Sequence, residues 1–222
     1  MTDPRAGVKR HAALEALKLV ESGMVLGLGT GSTAAFFVEE LGRRLATGVL
    51  KDIVGVPTSK VTHQQAALLS VPIGTPDEFP DIDLTVDGAD EVDPDGNLIK
   101  GLGGALLREK IVACASRRLV IVVDESKLVQ RLGLGCPLPV EVVQFGARSH
   151  VGFFHELGAK PEPRLDKDGT IFVTDEGHYI VDLAFPDGLP DPAQLDATLH
   201  ARAGVVETGL FLGHRPRVIV GR

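Results

Sequence analysis

Residues 87–110, DGADEVDPDGNLIKGLGGALLREK, combine within one short stretch the side chains that acid–base chemistry needs. Two acids, Asp87 and Asp90, are followed by Lys100, by a run of glycines and by Glu109. The segment after the glycines has helical periodicity, and Glu109 would have small or apolar neighbours on that helix. Burial among such neighbours raises the pKa of a carboxyl group and prepares the group to act as a base. We therefore predict an active site built around this stretch, with Glu109 as its base.

Neighbouring carboxylates such as Asp87, Asp90 and Glu91 are also typical of a Mg²⁺ or Ca²⁺ site, which is the alternative interpretation of the acidic segment. A lysine can supply the positive charge that a metal ion would otherwise bring, and Lys100 follows in the same stretch. We therefore expect no metal ion and no other cofactor. The alternative for Lys100 itself is a solvated loop lysine without a role in the chemistry.

A second candidate site lies in MVLGLGTGSTAAFF, residues 24–37. A strand, a turn of glycine, threonine and serine, and a helix from Thr33 would place backbone N–H groups at a helix N-terminus, where phosphate binds. The alternative is a turn in which the glycines serve steric needs only. The spacing does not fit G-x-G-x-x-G, since position 32 is serine, and Gly31 stands where a Walker A loop has its lysine. Neither NAD nor ATP is indicated.

Four predicted strands end in polar clusters, which read GTGST, PTS, DGADE and DESK. The strand before DESK, residues 119–123, is continuously apolar, as expected of a parallel strand covered on both faces. In an open parallel α/β sheet the carboxyl ends of the strands lie at one edge, where ligands bind. The sequence thus predicts a Rossmann-like α/β domain with an open parallel sheet that gathers the four clusters at this edge.

The helix that carries Glu109 has two candidate apolar faces. The predicted buried stripe consists of Leu107, Ile111 and Cys114. The face that carries Glu109 also holds Ala105 and Val112.

From about residue 133 the pattern changes to strand, helix, strands, helix and strand, which is typical of a split βαβ or ferredoxin-like plan. We predict a small ferredoxin-like α+β domain over residues 133–202 and a Rossmann-like catalytic domain over residues 1–132 plus 203–222. The last segment, PRVIVG, reads as a strand that returns to the first sheet, so the small domain would be an insertion.

The composition is that of an ordinary soluble globular protein of 222 residues, with 44% hydrophobic and 24% charged residues. The net charge of -7 argues against nucleic acid as a partner. No apolar run approaches the roughly 20 residues of a membrane span, and the N-terminal segment lacks the apolar core of a signal peptide. We therefore expect a cytoplasmic protein. Cys114 and Cys136 indicate neither a disulfide framework nor a zinc site.

The stretches GLGTGSTAAFF, DGADEVD, KGLGGALLREK, VVDESK and PLPVEV, in this order, resemble ribose-5-phosphate isomerase A over essentially the whole chain. That family interconverts ribose 5-phosphate and ribulose 5-phosphate without a cofactor, in the non-oxidative pentose phosphate pathway. The resemblance implies Glu109 as the catalytic base and a homodimer with a small sugar phosphate as its ligand. It further implies substrate contacts at Thr30, Gly31, Ser32, Thr33, Asp87, Gly88, Ala89, Asp90, Lys100, Gly101, Leu102, Gly103 and Lys127. Leu102 departs from the family, in which many members have a third glycine, and this affects the pocket only if its side chain faces the sugar.

An aldose–ketose isomerisation needs a base for the C2 proton, a proton shuttle between O1 and O2, and positive charge or amides near the enediolate oxygens. Glu109 suits the first role. Asp87 or Asp90 could open the furanose ring and carry the hydroxyl protons, while Lys100 and the following glycine amides could stabilise the oxyanion. The sequence leaves open the choice between the two aspartates and whether Lys9 reaches the phosphate.

Two other functions fit parts of the pattern. A sugar-phosphate deaminase or lactonase is expected to use a histidine in its site, and no histidine lies between His63 and His150. His63, His150, His155 and His178 are expected to be surface residues or hydrogen-bonded polar residues. A non-catalytic sugar-phosphate sensor would normally add a helix-turn-helix, for which the chain has no spare segment.

Overall fold

A computed structural model describes residues 5–221 of the chain. The chain forms two compact units. The first unit comprises Met1–Ala89, Arg108–Lys127 and His214–Arg222, and the second unit comprises Asp90–Leu107 and Leu128–Gly213. Residues 1–4 and 222, which the predicted Rossmann-like domain includes, lie outside the described residues.

The helices and strands are, in chain order, α1 (Ala6–Leu17), β1 (Val25–Leu28), α2 (Ser32–Ala46), β2 (Val54–Pro57), α3 (Lys60–Leu68), β3 (Leu84–Asp87), β4 (Glu91–Val92), β5 (Leu98–Ile99), α4 (Leu106–Cys114), β6 (Leu119–Val123), β7 (Leu138–Val142), α5 (Val151–Glu156), β8 (Lys160–Pro163), β9 (Tyr179–Ala184), α6 (Pro192–His200), β10 (Val205–Thr208), β11 (Leu210–Phe211) and β12 (Arg217–Val220). Short 3-10 helices at Glu125–Lys127 and Ala147–His150 follow β6 and β7. Within residues 5–221, no helix combines the length and the apolar character that crossing a membrane requires.

The first unit contains a five-stranded sheet in the order β12-β6-β3-β1-β2, and each neighbouring pair runs parallel. All residues of β6 are buried, which confirms that its apolar run is covered on both faces. Side chains from α1 and α2, such as Leu17 and Phe37, share one apolar core with Leu28 and Val86 of the strands. The four predicted polar clusters follow the carboxyl ends of β1, β2, β3 and β6. Because these strands are parallel, all four clusters begin at the same edge of the sheet, which we call the carboxyl edge.

The second unit contains a four-stranded antiparallel sheet in the order β10-β7-β9-β8, with α5 and α6. Its elements follow one another as β7, α5, β8, β9, α6 and β10, which is the predicted ferredoxin-like succession. Inward side chains such as Val140, Phe154 and Leu199 form its apolar core. A separate three-stranded sheet has the order β11-β5-β4. It contains the two strands on either side of the short turn between β4 and β5, and Lys100 directly follows β5.

The helix α4 buries a different face from the predicted one. Leu106, Glu109 and Val112 are buried, whereas Ile111 is 48% exposed and Cys114 is exposed. The predicted stripe at positions 107, 111 and 114 is therefore wrong. The helix begins three residues later than its glycines suggested, and Ala113 is buried beside Val112. Glu109 lies on the buried face itself.

The chain returns to the first sheet as predicted, because β12 pairs in parallel with β6. The boundaries of the two compact units nevertheless differ from the boundaries of the predicted domains. Strands β10 and β11 follow residue 203, but they pair with β7 and β5 and so belong to the second unit. Residues 90–107 belong there too, since they supply β4 and β5. The division into domains 1–132 plus 203–222 and 133–202 stays a prediction.

Candidate active site

The loop after β1 leads into the N-terminus of α2, which is the arrangement that a phosphate site requires. The helix begins at Ser32, and Gly31 before it has a φ of 109°, a left-handed conformation that favours glycine. Gly31 and Ser32 are exposed, and Thr33 is half-buried. Lys9 of α1 donates from Nζ to Oγ of Ser32 at 2.8 Å. The loop therefore combines helix amides, hydroxyls and a cation, all of which attract an anion.

Thr30 connects this loop to the neighbouring strand ends. Its Oγ1 lies 2.8 Å from Oγ1 of Thr58 and 2.8 Å from Oγ of Ser59, in the polar cluster after β2. Its amide donates to Oδ1 of Asp87 at the end of β3, at 3.0 Å. The hydroxyl and the amide of Thr30 thus hold the loop in place. The sequence pattern PTS pointed to this strand end, but Thr58 and Ser59 were not predicted as site residues.

Asp87, the last residue of β3, is buried and contacts the loop after β1. Its Oδ1 accepts from the amide of Thr30 at 3.0 Å and from the amide of Gly88 at 2.7 Å. A Cβ atom at Gly29 would lie 2.2 Å from this oxygen and 2.5 Å from the Cα of Asp87, so only glycine permits the approach. Gly88 and Ala89, which continue the chain, are half-buried. Two of the predicted sites, the GTGST loop and the start of DGADE, are therefore directly hydrogen-bonded to each other.

Glu109 lies in the first turn of α4 and is 5% exposed. Val112, one turn further on the same face, covers β1, because a Cβ atom at Gly27 would lie 2.7 Å from its Cγ1. At the end of the helix the carbonyl of Ala115 accepts from the amide of Ile82, directly before β3. The helix thus runs from the carboxyl edge back towards the amino edge of the sheet, and it holds Glu109 on the side of the carboxyl edge.

Lys127 ends the 3-10 helix after β6 and is half-buried. Before it, buried Asp124 accepts from the amide and the hydroxyl of Ser126 and from Nη1 of Arg5 at 3.3 Å. Burial raises the pKa of Asp124, but the hydrogen bonds from Ser126 and the charges of Arg5 and Lys127 outweigh it, and the pKa lies below its usual range. The sequence pattern DESK pointed to this strand end, but neither Asp124 nor Arg5 was predicted from it.

In the second unit, half-buried Asp90 holds the glycine-rich loop that follows β5. Its Oδ2 accepts from the amide of Leu102 at 2.9 Å. Gly101 and Gly104 have φ values of 100° and 82°, which favour glycine, whereas Leu102 lies outside this left-handed region. Gly103 and the side chain of Leu102 are exposed. The amide of Leu102 therefore binds a carboxylate of the protein, a contact that the sequence did not predict.

Lys100 is 3% exposed, although a lysine is rarely buried. Its amide donates to the carbonyl of Gly209 at 2.9 Å, and its Nζ lies 5.5 Å from the centre of the Phe211 ring. That position suits a cation–π contact. The interpretation of Lys100 as a solvated loop lysine does not fit this burial.

Glu91, which the metal-site alternative would use as a ligand, is buried, and its carboxylate accepts hydrogen bonds from backbone amides. Its two oxygens accept from Gly133 and Gly135, each at 2.5 Å, and from Cys136 at 2.9 Å. Glu91 thus fixes the loop before β7 to β4. These hydrogen-bond partners of the Glu91 side chain were not predictable from the sequence pattern.

Two histidines of the second unit, His150 and His178, contact buried side chains. His178 Nδ1 lies 2.9 Å from Oε1 of buried Glu141, as expected of a hydrogen-bonded histidine. His150 is buried and stacks on Phe154, and its Nδ1 has no hydrogen-bond partner among residues 5–221. The expectation of a surface or hydrogen-bonded residue is therefore wrong for His150, which is buried and packs against an aromatic ring instead.

A family model for ribose 5-phosphate isomerase A (phosphoriboisomerase A) matches residues 54–222. Ribose-5-phosphate isomerase A of Roseiflexus castenholzii is 52% identical over 205 residues, which are 92% of this chain and 87% of the relative. The enzyme of the same name from Enterococcus faecalis is 50% identical over 214 residues, 96% of this chain and 93% of the relative. A solved D-ribose-5-phosphate isomerase in complex with phospho-erythronic acid has a TM-score of 0.93 at 42% identity, over 96% of this chain and 93% of that chain. The ribose 5-phosphate isomerase A of Methanocaldococcus jannaschii has a TM-score of 0.92 at 39% identity, over 98% of this chain and 96% of that chain.

Proposed function

This chain belongs to the ribose-5-phosphate isomerase A family, and on that premise we propose which of its residues interconvert ribose 5-phosphate and ribulose 5-phosphate. The reaction, a step of the pentose phosphate pathway, moves the carbonyl group between C1 and C2 through an enediolate. A base must take the proton from C2 and return it to C1, and a second group must move a proton between O2 and O1. Developing negative charge on the oxygens needs a cation or amide donors.

Glu109 is the proposed base, and its burial on α4 is the observation that carries the assignment. A helix gives the carboxylate a fixed direction, and α4 is itself held on the sheet through Val112 and Ala115. Limited solvation strengthens a carboxylate as a base. The loop acid Glu91 is a poorer candidate, because three backbone amides already use its oxygens.

The phosphate is proposed to bind at the N-terminus of α2. Gly31, Ser32 and Thr33 offer amides and hydroxyls there, and the contact of Lys9 with Ser32 brings an ammonium group to the same point. We assign Thr30 an orienting role, since its hydroxyl and amide hold the loop against β2 and β3. Lys127, after β6 on the same sheet, is assigned a further ligand contact.

Asp87 and Asp90 are proposed to open the furanose ring and to carry the hydroxyl protons, and Lys100 is proposed to stabilise the enediolate. Both oxygens of the enediolate need partners, and Lys100 with the amide of Gly103 would supply two donors. The burial of Lys100 supports this role, because a charge held away from water acts more strongly on a neighbouring oxyanion. The same charge makes a divalent metal ion unnecessary.

We also propose that the enzyme is cytoplasmic and forms a homodimer, as expected of an isomerase of this type. Light scattering after size-exclusion chromatography should give twice the mass of the chain, and a mass of one chain at micromolar concentration would contradict the dimer.

Deuterium exchange tests the proposed route. In D₂O, ribulose 5-phosphate formed from ribose 5-phosphate should carry deuterium at C1, because a protonated carboxylate can exchange with solvent before it returns the proton. Since internal return lowers this incorporation, [2-²H]ribose 5-phosphate in H₂O provides the complementary measurement of lost label. Dialysis against EDTA should leave the rate unchanged. Full retention of label together with a rate that EDTA abolishes and one divalent ion restores would indicate a metal-assisted hydride shift instead.

A further inference from the structure

Arg164 follows β8 in the second unit and binds a carboxylate and two carbonyl groups at once. Its Nε donates to Oδ2 of Asp182 at 2.9 Å, and its Nη2 donates to Oδ1 of the same carboxylate. Its Nη1 donates to the carbonyl oxygens of Gly101 at 2.7 Å and Leu102 at 3.1 Å. The side chain is 11% exposed. A guanidinium can make this set of contacts because its donors form a rigid planar fork, which a lysine lacks.

Both members of the ion pair are anchored to the antiparallel sheet. Asp182 lies inside β9, between Pro139 of β7 and Glu162 of β8. The amide of Arg164 donates to the carbonyl of Ile180 at 2.9 Å. The guanidinium therefore has a fixed position that the sheet, rather than the glycine-rich loop, determines.

The loop receives its orientation from these contacts. In a trans peptide unit the C=O and N–H groups point in opposite directions, and no described peptide bond is cis. Because the carbonyls of Gly101 and Leu102 point to Arg164, the amides of Leu102 and Gly103 point away from it. The amide of Leu102 accordingly reaches Oδ2 of Asp90 at 2.9 Å. No acceptor among residues 5–221 takes the amide of Gly103.

We propose that Arg164, held by Asp182, is a positioning residue that turns the Gly103 amide towards an enediolate oxygen and the Leu102 amide towards Asp90. Its role rests on the proposed function, which places the loop from Lys100 to Gly103 in contact with the sugar. An oxyanion donor works best when it is already aligned with the charge that develops in the transition state. Without Arg164 the two peptide units can rotate, and this alignment is lost while the phosphate site remains intact.

The experiment compares Arg164→Ala with the parent enzyme in turnover and in the binding of two inhibitors. We expect kcat to fall roughly tenfold or more, with KM for ribose 5-phosphate changed less than threefold. The inhibition constant of phospho-erythronic acid, whose carboxylate offers two oxygens at the position of the reacting carbons, should rise roughly tenfold. The inhibition constant of inorganic phosphate should stay within about twofold, because phosphate tests only the α2 site. Guanidinium ion, added far below denaturing concentrations, should restore part of kcat.

Arg131→Ala is the matched control, because Arg131 also donates from its guanidinium to a backbone carbonyl of the second unit, that of Leu189 at 2.8 Å. It should leave kcat and both inhibition constants unchanged. If Arg164→Ala does not fold, Asp182→Asn and Arg164→Lys decide the question with the same measurements.

Variants at Arg164 and Asp182 that lower only the melting temperature would overturn the positioning role and leave a structural ion pair. Failure of the proposed function looks different. In that case Lys100→Met would also keep a normal kcat, whereas a failure of the Arg164 inference alone leaves Lys100→Met defective.

Discussion

Glu109→Gln tests the proposed base directly. Glutamine keeps the shape and the carbonyl oxygen of the side chain but lacks the basic lone pair, so substrate should bind while proton abstraction fails. A positioned general base contributes roughly 10²–10⁴-fold to a rate. That range corresponds to about 2.7–5.4 kcal/mol of transition-state stabilisation, at about 1.36 kcal/mol for each factor of ten. We expect kcat to fall by this factor, with KM changed less than threefold.

Glu40→Gln offers a matched control, since Glu40 is a helical glutamate of the same unit with the same exposure of 5%. Glu40 has structural partners, because Nε of Arg43 donates to its Oε2 at 2.7 Å and Arg44 lies close to the same carboxylate. Those hydrogen bonds, with that from Arg43 the strongest, lower the pKa of Glu40. Glu40→Gln should therefore lower the melting temperature and leave kcat unchanged. Glu109→Gln should show the reverse pattern.

The assay follows ribulose 5-phosphate formation at saturating ribose 5-phosphate, with thermal unfolding of each variant recorded in parallel. A Glu109→Gln enzyme with kcat within about threefold of the parent would refute the assignment of the base. Asp87 would then be the next candidate. A loss of kcat accompanied by an equal loss of folded protein would also fail to support it, because the control separates stability from chemistry.

Three further predictions concern the remaining parts of the molecule. Replacing both Ser32 and Thr33 by alanine should raise KM roughly tenfold and change kcat less, since each lost neutral hydrogen bond costs about 0.5–1.5 kcal/mol; unchanged binding of ribose 5-phosphate would place the phosphate elsewhere. Lys100→Met should lower kcat more than tenfold while the melting temperature changes little, and a near-normal kcat would remove Lys100 from the chemistry. Burial, together with the charge of Arg202, lowers the pKa of His150, so the unfolded chain takes up this proton more readily and the folded state loses stability as the pH falls through about 6.5. His150→Phe should therefore flatten the decline of the melting temperature between about pH 7.5 and 5.5, and an unchanged slope would show that another group is responsible.

The strands and their polar ends were predictable because the signals are local. A strand that is apolar at every position, such as β6, must be covered on both faces of the sheet. The residues that follow parallel strands must lie at one edge of the sheet. The buried face of α4 was not predictable in the same way, since Ile111 and Val112 are equally apolar neighbours. Packing against Gly27 of β1 decides between them, and that contact joins segments more than eighty residues apart.

Hydrogen-bond partners were the least predictable part of the site. Glu91 and Asp90 stand side by side in one acidic run, yet the first accepts amides from residues 133–136 and the second accepts the amide of Leu102. An acidic side chain that serves the backbone has the same local sequence as one that serves a ligand. Only the folded path of the chain distinguishes the two, and the same holds for Arg164, which is 63 residues from Gly101.

Leu102 shows how backbone geometry decides what a departure from a glycine-rich pattern means. At Gly101 an added Cβ would lie 2.7 Å from the Cβ of Leu106, and at Gly104 it would lie 2.3 Å from Cζ of Phe172. Both positions also have positive φ, so two independent constraints require glycine there. Leu102 has no positive φ and its side chain is 38% exposed, while its amide donates to Asp90 and its carbonyl accepts from Arg164. The backbone of residue 102 makes the contacts that orient the loop, and these contacts are the same for leucine as for glycine.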